Sequence, residues 1–395
     1  MRTASYDAHV LIVGGGATGA GVAHDLALRG VRVTLVERGE LTSGTSGRHH
    51  GLLHSGGRYA VGDREAGLEC IEENRILKRI APGSFEENGG LFVAVCDEDM
   101  EYLEPFMRAC EESGIPAEPV RPEHALREEP NLNPALRAAV RVPDATIDPM
   151  RLMLRFFATA RRNGAEIHPY MEVTRLITHD GVVSGAAVRD HVTGREGEIA
   201  ADIVVNAAGP WSEQVAALAG VSVPMIPSPG VLLAVRGRLC NMVINRLHKP
   251  GDGDIVVPQR GLSIVGTTSW VVEDPDELTV PEDHVERMYA EGAKLIPAVR
   301  RAERRAAWSA ARPLVGQKGA GSGRELSRTF QVFDHARTDG VEGLVTITGG
   351  KSTTLRGMAE VCADLVCVKL GVDEPCRTRE TVLLPHTAYY AAAAA

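Results

Sequence analysis

The chain has 395 residues, of which 44% are hydrophobic and 24% charged, so its composition argues against wholesale disorder and its length predicts two or three domains. Its 43 Lys and Arg residues are outnumbered by 52 Asp and Glu residues, and the net charge of −9 opposes general binding to nucleic acid. No run of about 18 uncharged apolar residues occurs, so any membrane contact is expected to be peripheral.

The first predicted unit is a strand, a glycine turn, a helix and a second strand. Val10–Val13 is apolar, Ala17–Arg29 has helical periodicity, and Val31–Val36 is rich in β-branched residues. This order of elements is the context that a dinucleotide-binding fingerprint requires. The unit therefore predicts a Rossmann-like domain at the start of the chain.

The turn of this unit has the spacing Gly-x-Gly-x-x-Gly. Gly14 permits a tight turn, Gly16 lets the backbone approach a pyrophosphate, and Gly19 allows the helix to pack closely on the strand. The first helical N–H groups are then free to bind the anion. Glu37 ends the second strand, where its carboxylate is expected to accept bonds from a ribose hydroxyl.

The middle of the chain predicts a meander and a second nucleotide-type unit. Short β-runs are separated by turn signals at 180–181 and 193–194. The apolar run Ile203–Val205 then leads into the small residues 207–209 and a helix opened by Pro210. Small residues at such a turn are expected where backbone passes close to a cofactor.

Residues 221–268 read as further strands, and an amphipathic helix is predicted at Thr279–Ile296. Thr279 and Glu282 have the spacing of a capping box at its start. The apolar positions of this helix are expected to belong to the core.

A third strand, glycine turn and helix unit lies near the end of the chain. Gly349 and Gly350 form its turn, Lys351 follows, and a helix is predicted from Ser352 to Leu370. A dinucleotide fingerprint does not separate NAD from FAD. A helix N-terminus and a lysine beside the cofactor favour a flavin, because the reduced ring carries negative charge.

The three units predict an α/β (α+β) fold: a discontinuous Rossmann-like FAD-binding domain with an inserted β-rich substrate domain. The FAD-binding domain is assigned to 1–84, 141–222 and 330–378, the substrate domain to 85–140 and 223–329, and a tail to 379–395. The seven cysteines include no Cys-x-x-Cys pair and no His-rich companion, so we expect reduced thiols and no metal site. No signal peptide is recognised before the first strand, which predicts a cytoplasmic protein.

Specific motifs resemble those of FAD-dependent glycerol-3-phosphate dehydrogenases, and most closely the catalytic A subunits of the anaerobic, three-subunit bacterial enzymes. That family is a branch of the D-amino-acid-oxidase-like flavoproteins. The resemblance covers residues 7–378. The motifs occur here in the family's order, as GGGATGAGVAHDLALRG, GLLHSGGRY, VNAAGPW, VGTTS, ARPL and ITGGKSTTLRGMAE.

The resemblance implies oxidation of sn-glycerol 3-phosphate to dihydroxyacetone phosphate, with hydride transfer to non-covalent FAD. Electrons would pass on to a quinone through partner subunits, with the protein on the cytoplasmic face of the cell membrane or free in the cytoplasm. The family normally continues into a cysteine-rich iron–sulfur domain, whose cysteines this sequence does not supply.

The resemblance also assigns site residues. His54, Arg58 and Tyr59 match substrate-side residues and Lys351 the lysine over flavin and substrate, with His54 as the candidate base because an imidazole titrates near neutrality. Arg312 and Arg328 match a phosphate clamp, a role that suits planar guanidinium groups. The residues assigned to the cofactor are Gly14, Gly16, Ala17, Thr18, Gly19, Glu37, Arg38, Thr42, Ser43, Ser46, Val173, Ala208, Gly209, Gly349, Gly350, Lys351, Ser352 and Thr353.

Other interpretations of these residues stay open. Arg312 could be a structural arginine before a proline, and Arg328 and Lys351 could be surface residues. The segment 228–233 is apolar where aerobic relatives carry a histidine, which removes one proposed base. Leu355 replaces the family's tyrosine, which predicts one polar contact fewer near the site.

Two other functions also stay open. A related oxidase for amino or hydroxy acids would need a single carboxylate clamp and would not require both Arg312 and Arg328. A non-catalytic flavin-binding subunit would bind FAD that no polyol phosphate reduces. His49 and His50 match no family position, and at most one of them is expected near the flavin, because adjacent side chains point in different directions.

Overall fold

The computed structural model describes residues 6–316 and 326–391, so the ends of the predicted segments at 1–5, 317–325 and 392–395 lie outside the described residues. Within that range the strands are, in chain order, β1 (His9–Val13), β2 (Arg32–Val36), β3 (Leu52–Leu53), β4 (Phe85–Glu86), β5 (Gly90–Ala94), β6 (Glu118–Val120), β7 (Ala138–Val142), β8 (Ala145–Ile147), β9 (Glu166–His168), β10 (Met171–His179), β11 (Val182–Asp190), β12 (Glu196–Ala200), β13 (Ile203–Asn206), β14 (Met225–Arg236), β15 (Val243–Arg246), β16 (Ile255–Gln259), β17 (Leu262–Gly266), β18 (Arg304–Val315), β19 (Phe330–Asp334) and β20 (Leu344–Gly349).

The α-helices in the same range are α1 (Ala17–Leu28), α2 (Gly57–Ala60), α3 (Arg64–Ile80), α4 (Asp97–Glu101), α5 (Leu103–Glu112), α6 (Pro122–Glu128), α7 (Pro149–Arg162), α8 (Ser212–Ala217), α9 (Glu282–Leu295), α10 (His335–Thr338), α11 (Leu355–Leu370) and α12 (Ala388–Ala391). Short 3-10 helices lie at Thr45–Gly47, Gly209–Trp211, Pro297–Arg301 and Ser352–Thr354.

The first layer of the fold is a six-stranded sheet in the order β19-β20-β13-β1-β2-β9, parallel except for the β19–β20 pair. Successive side chains of a strand point to opposite faces. Val10 and Ile12 therefore pack with helices α1, α7 and α11, whereas Leu11 and Val13 pack with the β10–β12 meander and α8. The sheet is thus covered on both faces, as a parallel sheet requires.

The second layer is an eight-stranded mixed sheet in the order β18-β14-β17-β16-β15-β5-β7-β6. Its longest pairing joins β14 to β18 in antiparallel register, from Met225 opposite Val315 to Val235 opposite Arg304. Helix α9 packs on one face through Val285, Met288 and Leu295. A small sheet, β3-β8-β4, completes the described sheets.

The predicted Rossmann-like order of elements is confirmed, and the meander and the three glycine-turn units are present. The strands of the six-stranded sheet fall within the predicted segments 1–84, 141–222 and 330–378. Those of the eight-stranded sheet fall within 85–140 and 223–329, except that β7 crosses the boundary at 140. The domain boundaries themselves stay a prediction.

The predicted capping box of the 279–296 helix is wrong. The helix begins at Glu282, after Pro281, and no side chain caps it. The Glu282 carboxylate instead accepts bonds from Arg304 Nη1 at 2.9 and 3.0 Å. A tertiary ion pair therefore takes the carboxylate that the local pattern assigned to the helix start.

The described part of the predicted tail, 379–391, packs on the six-stranded domain. Leu383 is buried, its N–H donates to the Ile80 carbonyl, and its carbonyl accepts a bond from Arg155. Tyr389 lies against Phe157 and under the Arg161 guanidinium. Aromatic and arginine contacts thus fix a segment whose sequence is low in complexity.

Candidate active site

A cavity of about 1710 Å³ lies where the carboxyl ends of β1, β13 and β20 face the eight-stranded sheet. This volume exceeds the roughly 300–1,000 Å³ of a typical small-molecule pocket, so it suits an extended cofactor together with a substrate. Every residue that the sequence assigned to the cofactor or the substrate lines the cavity, with the single exception of Gly19. The ligand roles of these residues stay proposals.

The first glycine turn has the shape that a dinucleotide needs. Gly14 has φ +115°, and a Cβ there would lie 2.5 Å from the Ala207 carbonyl oxygen. A Cβ at Gly19 would lie 2.0 Å from the Gly14 carbonyl oxygen, which explains why Gly19 packs behind the cavity. Side chains at these positions would destroy the cradle, so the residues present fit the pyrophosphate of a dinucleotide.

Glu37 organises the same turn. Its carboxylate accepts bonds from the N–H groups of Gly15 at 2.7 Å and Gly39 at 2.8 Å. Each carboxylate oxygen has a second lone pair, so Glu37 can still accept a ribose hydroxyl. Ser46 Oγ accepts a bond from the Ala17 N–H at the start of α1, which places it where the anion is expected.

Arg38 and Trp211 form one rim of the cavity. The Arg38 guanidinium donates to Asp276 at 2.6 and 3.3 Å and lies 4.6 Å from the centre of the Trp211 ring. Trp211 Nε1 donates to the same carboxylate at 3.0 Å. Asp276 therefore joins the cavity loop, residues 267–281, to the six-stranded domain, a contact that no local sequence signal indicates.

The opposite region of the cavity contains three histidines and a tyrosine. The ring centres lie 6.2 Å apart for His49 and His50, 5.9 Å for His50 and His54, and 5.2 Å for His54 and Tyr59. Both His49 and His50 line the cavity, so the structure brings together two residues of which at most one was expected there.

Burial keeps these imidazoles neutral. It lowers the pKa of His49 to about 4 and holds the pKa values of His50 and His54 well below their ordinary range. Neighbouring histidines, Arg58 and Lys351 lower the pKa of His54 further. A neutral imidazole is the form that accepts a proton, so the environment suits His54 as a base.

The backbone on both sides of the His54 side chain is fixed. Its N–H donates to Thr353 Oγ1 at 3.1 Å, and its carbonyl accepts a bond from Asn74 Nδ2 at 3.2 Å. Sequence reasoning missed Asn74. The available signal was a polar residue on the buried face of the α3 helix, where it stands one turn from Cys70 and Leu77.

Arg58 is paired with a residue that the sequence did not indicate. Its Nη2 donates to Asp254 Oδ1 at 2.8 Å, and only 11% of the Arg58 side chain and 1% of the Asp254 side chain are exposed. Asp254 Oδ2 also accepts the Gly251 N–H at 2.7 Å. The partners are far apart in sequence, so no spacing rule predicts this contact.

Lys351 lies at the centre of a group of contacts. Its Nζ donates to the Arg328 carbonyl at 2.7 Å, stands 3.5 Å from Glu69 and lies 5.2 Å from the centre of the Tyr59 ring. The Arg328 N–H donates to Asp63, the N-cap of α3. The surface interpretation of Lys351 is therefore wrong, since only 8% of its side chain is exposed.

Arg312 combines a structural position with a cavity position. Its guanidinium donates to the carbonyls of Ser228, Pro229 and Thr268 at 3.1–3.3 Å and also contacts Thr267 Oγ1. It therefore links β14 to the cavity loop while lining the cavity. Leu355, by contrast, is buried against α1 and lies outside the cavity lining, so it removes no polar group from the site.

Comparison with known proteins supports this description of fold and cofactor. Residues 9–365 match the FAD dependent oxidoreductase family. The A-type polypeptide of the anaerobic glycerol-3-phosphate dehydrogenase from Escherichia coli (strain K12) is 46% identical over 381 residues, which are 96% of this chain and 70% of that protein. The A1-type polypeptide of the corresponding Haloferax volcanii enzyme is 44% identical over 385 residues, or 95% and 66% of the two chains.

Among solved structures, the glycerol-3-phosphate dehydrogenase from Bacillus halodurans complexed with FAD has a TM-score of 0.74 and 26% identity, covering 96% of this chain and 68% of that one. The expectations of a Rossmann-like flavoprotein fold and of FAD are confirmed. The chain belongs to the FAD-dependent oxidoreductase family, and its cofactor is FAD.

Proposed function

We propose that the protein oxidises sn-glycerol 3-phosphate to dihydroxyacetone phosphate. The observation that carries this proposal is the grouping of Arg58, Arg312 and Lys351 around a cavity that also contains His54. A phosphate dianion is best bound by several fixed cationic donors. The names of the E. coli and B. halodurans relatives support the same substrate.

The reaction removes a hydride from C2 and a proton from the C2 hydroxyl, which leaves a ketone. When bound, FAD supplies the two-electron acceptor for the hydride. The neutral imidazole of His54 accepts the hydroxyl proton at a ring nitrogen. Arg312 and Arg328 bind the phosphate, while Arg58, Tyr59 and Lys351 orient the glycerol carbons.

The FAD-binding residues are those of the glycine turns. The backbone of Gly14 and Gly16 holds the pyrophosphate, Glu37 accepts the ribose hydroxyl, and the segment 349–353 lies beside the ring system. The helix that follows this segment begins at Leu355 and directs its N-terminus toward the cavity.

Electrons are proposed to leave through partner polypeptides toward a quinone, since two relatives are named as one component of an anaerobic enzyme with several subunits. Within residues 6–316 and 326–391, no helix has the length and apolar character needed to cross a bilayer. The proposed substrate is a small, doubly charged, water-soluble molecule. We propose that the protein meets it in the cytoplasm, with any membrane contact confined to the cytoplasmic surface.

The test is anaerobic addition of glycerol 3-phosphate to the purified holoprotein, followed by its absorbance. Loss of the oxidised flavin bands with glycerol 3-phosphate, but not with glycine, lactate or glycerol, is the expected result. Bleaching by an amino or hydroxy acid alone would overturn the proposal in favour of a related oxidase. Absence of bleaching by all four compounds would favour a non-catalytic flavin-binding protein.

A further inference from the structure

His50 is the cavity histidine to which the proposed function gives no role. It lies between His49 and His54, and its ring centre is 5.9 Å from that of His54. On its other side, a Cβ at Gly266 would lie 3.8 Å from His50 Cδ2, so the ring is held between the candidate base and the start of the cavity loop.

The backbone fixes which nitrogen of His50 carries the proton. The Leu52 N–H donates to His50 Nδ1 at 3.3 Å, which occupies the lone pair of that nitrogen. A neutral imidazole has one donor nitrogen and one acceptor nitrogen, so Nε2 must carry the proton. Burial, together with His49, Arg58 and Arg312, holds the pKa of His50 well below its ordinary value and keeps this neutral form.

His50 is therefore a hydrogen-bond donor at Nε2, and its tautomer disfavours a role as the base. His54 differs, because neither of its ring nitrogens is bonded to the backbone and its tautomer is not fixed. Nε2 of His50 has no partner among the residues that the structure describes. Nε2 of His49 is also without a described partner, but it is fully enclosed.

The acceptor that fits this donor is the C2 oxygen of the substrate. Guanidinium groups are available for the phosphate, whereas the C2 hydroxyl must lie at His54 for its proton to be removed. As that proton leaves, negative charge develops on the oxygen, and a fixed N–H donor beside it stabilises that charge.

We infer that His50 is a catalytic residue that donates from Nε2 to the C2 oxygen as the alcohol becomes a ketone, an inference that rests on the proposed function. His50 keeps its own proton throughout. The hydroxyl proton goes to His54, and the hydride with its electron pair goes from C2 to the bound FAD.

The inference is tested with His50→Leu, which removes the donor, and His50→Gln, whose amide nitrogen can replace Nε2. FAD content and melting temperature are recorded for each variant, and kcat and KM for glycerol 3-phosphate are measured with a dye acceptor. We expect His50→Leu to lower kcat roughly 100-fold with little change in KM, the effect of losing one donor to a developing oxyanion. His50→Gln should recover most of the loss. The control is His179→Leu at an exposed position.

Three results would overturn the inference: an unchanged kcat in His50→Leu, a raised KM with unchanged kcat, which would assign the donor to the phosphate, or a His50→Gln variant as slow as His50→Leu. Failure of the wild-type protein to be reduced by glycerol 3-phosphate is a separate result. It would overturn the proposed function and, with it, this inference.

Discussion

At the scale of single residues, the site depends on charged side chains that are held by partners distant in sequence. Asp254 holds Arg58, and the Arg328 carbonyl holds Lys351. A buried charge that loses its partner is strongly destabilising, so these pairs fix the geometry of the cavity before a substrate enters. Arg312 is the best residue for testing the phosphate clamp, because it lines the cavity and also links two segments.

Arg312→Lys should raise KM for glycerol 3-phosphate at least tenfold, or about 1.4 kcal/mol, while FAD stays bound. A lysine has one charged nitrogen and cannot bind a phosphate while also donating to carbonyls on two segments. Steady-state kinetics with a dye acceptor gives KM, and the flavin absorbance gives FAD content. Arg236→Lys is the matched control on the neighbouring strand, where the arginine is exposed and pairs with Glu303. An unchanged KM in Arg312→Lys would place the clamp elsewhere.

At the scale of elements, the cavity loop closes over one end of the FAD site although it belongs to the β-rich part of the chain. Its Asp276 accepts bonds from both Arg38 and Trp211, which stand on the six-stranded domain. Pro275, Asp276 and Leu278 line the cavity. The loop therefore connects the two sheets at the cofactor, and this contact should slow the release of FAD.

Asp276→Ala should increase the dissociation constant of FAD by roughly two- to fivefold, which is the scale of an exposed ion-pair contact. Fluorescence titration of the apoprotein with FAD measures this constant. Glu277→Ala removes a neighbouring acidic side chain of the same loop and serves as the control. Equal FAD affinity in Asp276→Ala and the wild type would show that the loop does not retain the cofactor.

At the scale of the whole molecule, buried neutral histidines make the fold sensitive to acid. His24 is fully buried on α1, neither ring nitrogen has a described partner, and burial lowers its pKa to about 3. In the unfolded chain a histidine has a pKa near 6.5. Below that pH the unfolded state binds one more proton than the folded state, so stability is lost as pH falls.

His24→Leu should therefore flatten the pH dependence of stability. Between pH 7 and pH 5 the wild type should lose about 2 kcal/mol of unfolding free energy through His24, and the variant should not. Urea unfolding at both pH values, with FAD bound, measures the difference. His179→Leu, at an exposed position, is the comparison. If both variants and the wild type lose the same free energy, His24 does not cause the acid sensitivity.

The sequence by itself determined the local units of this protein. The fingerprint glycines and the apolar strands around them specify the cofactor domain, because each requirement there is met within a few consecutive residues. The order of three such units also indicated a discontinuous domain. Within elements, the pattern was weaker where tertiary contacts compete, as at Glu282, whose carboxylate pairs with Arg304.

Only the tertiary structure decided how the distant parts of the site meet. The pairing of Arg58 with Asp254, the closure of the cavity loop by Asp276, and the placement of both His49 and His50 in one wall follow from packing one sheet against another. The tautomer of His50 is likewise set by a backbone N–H that the fold turns toward it. Contacts between residues far apart in the chain depend on how those sheets fold together, and no spacing in the sequence encodes them.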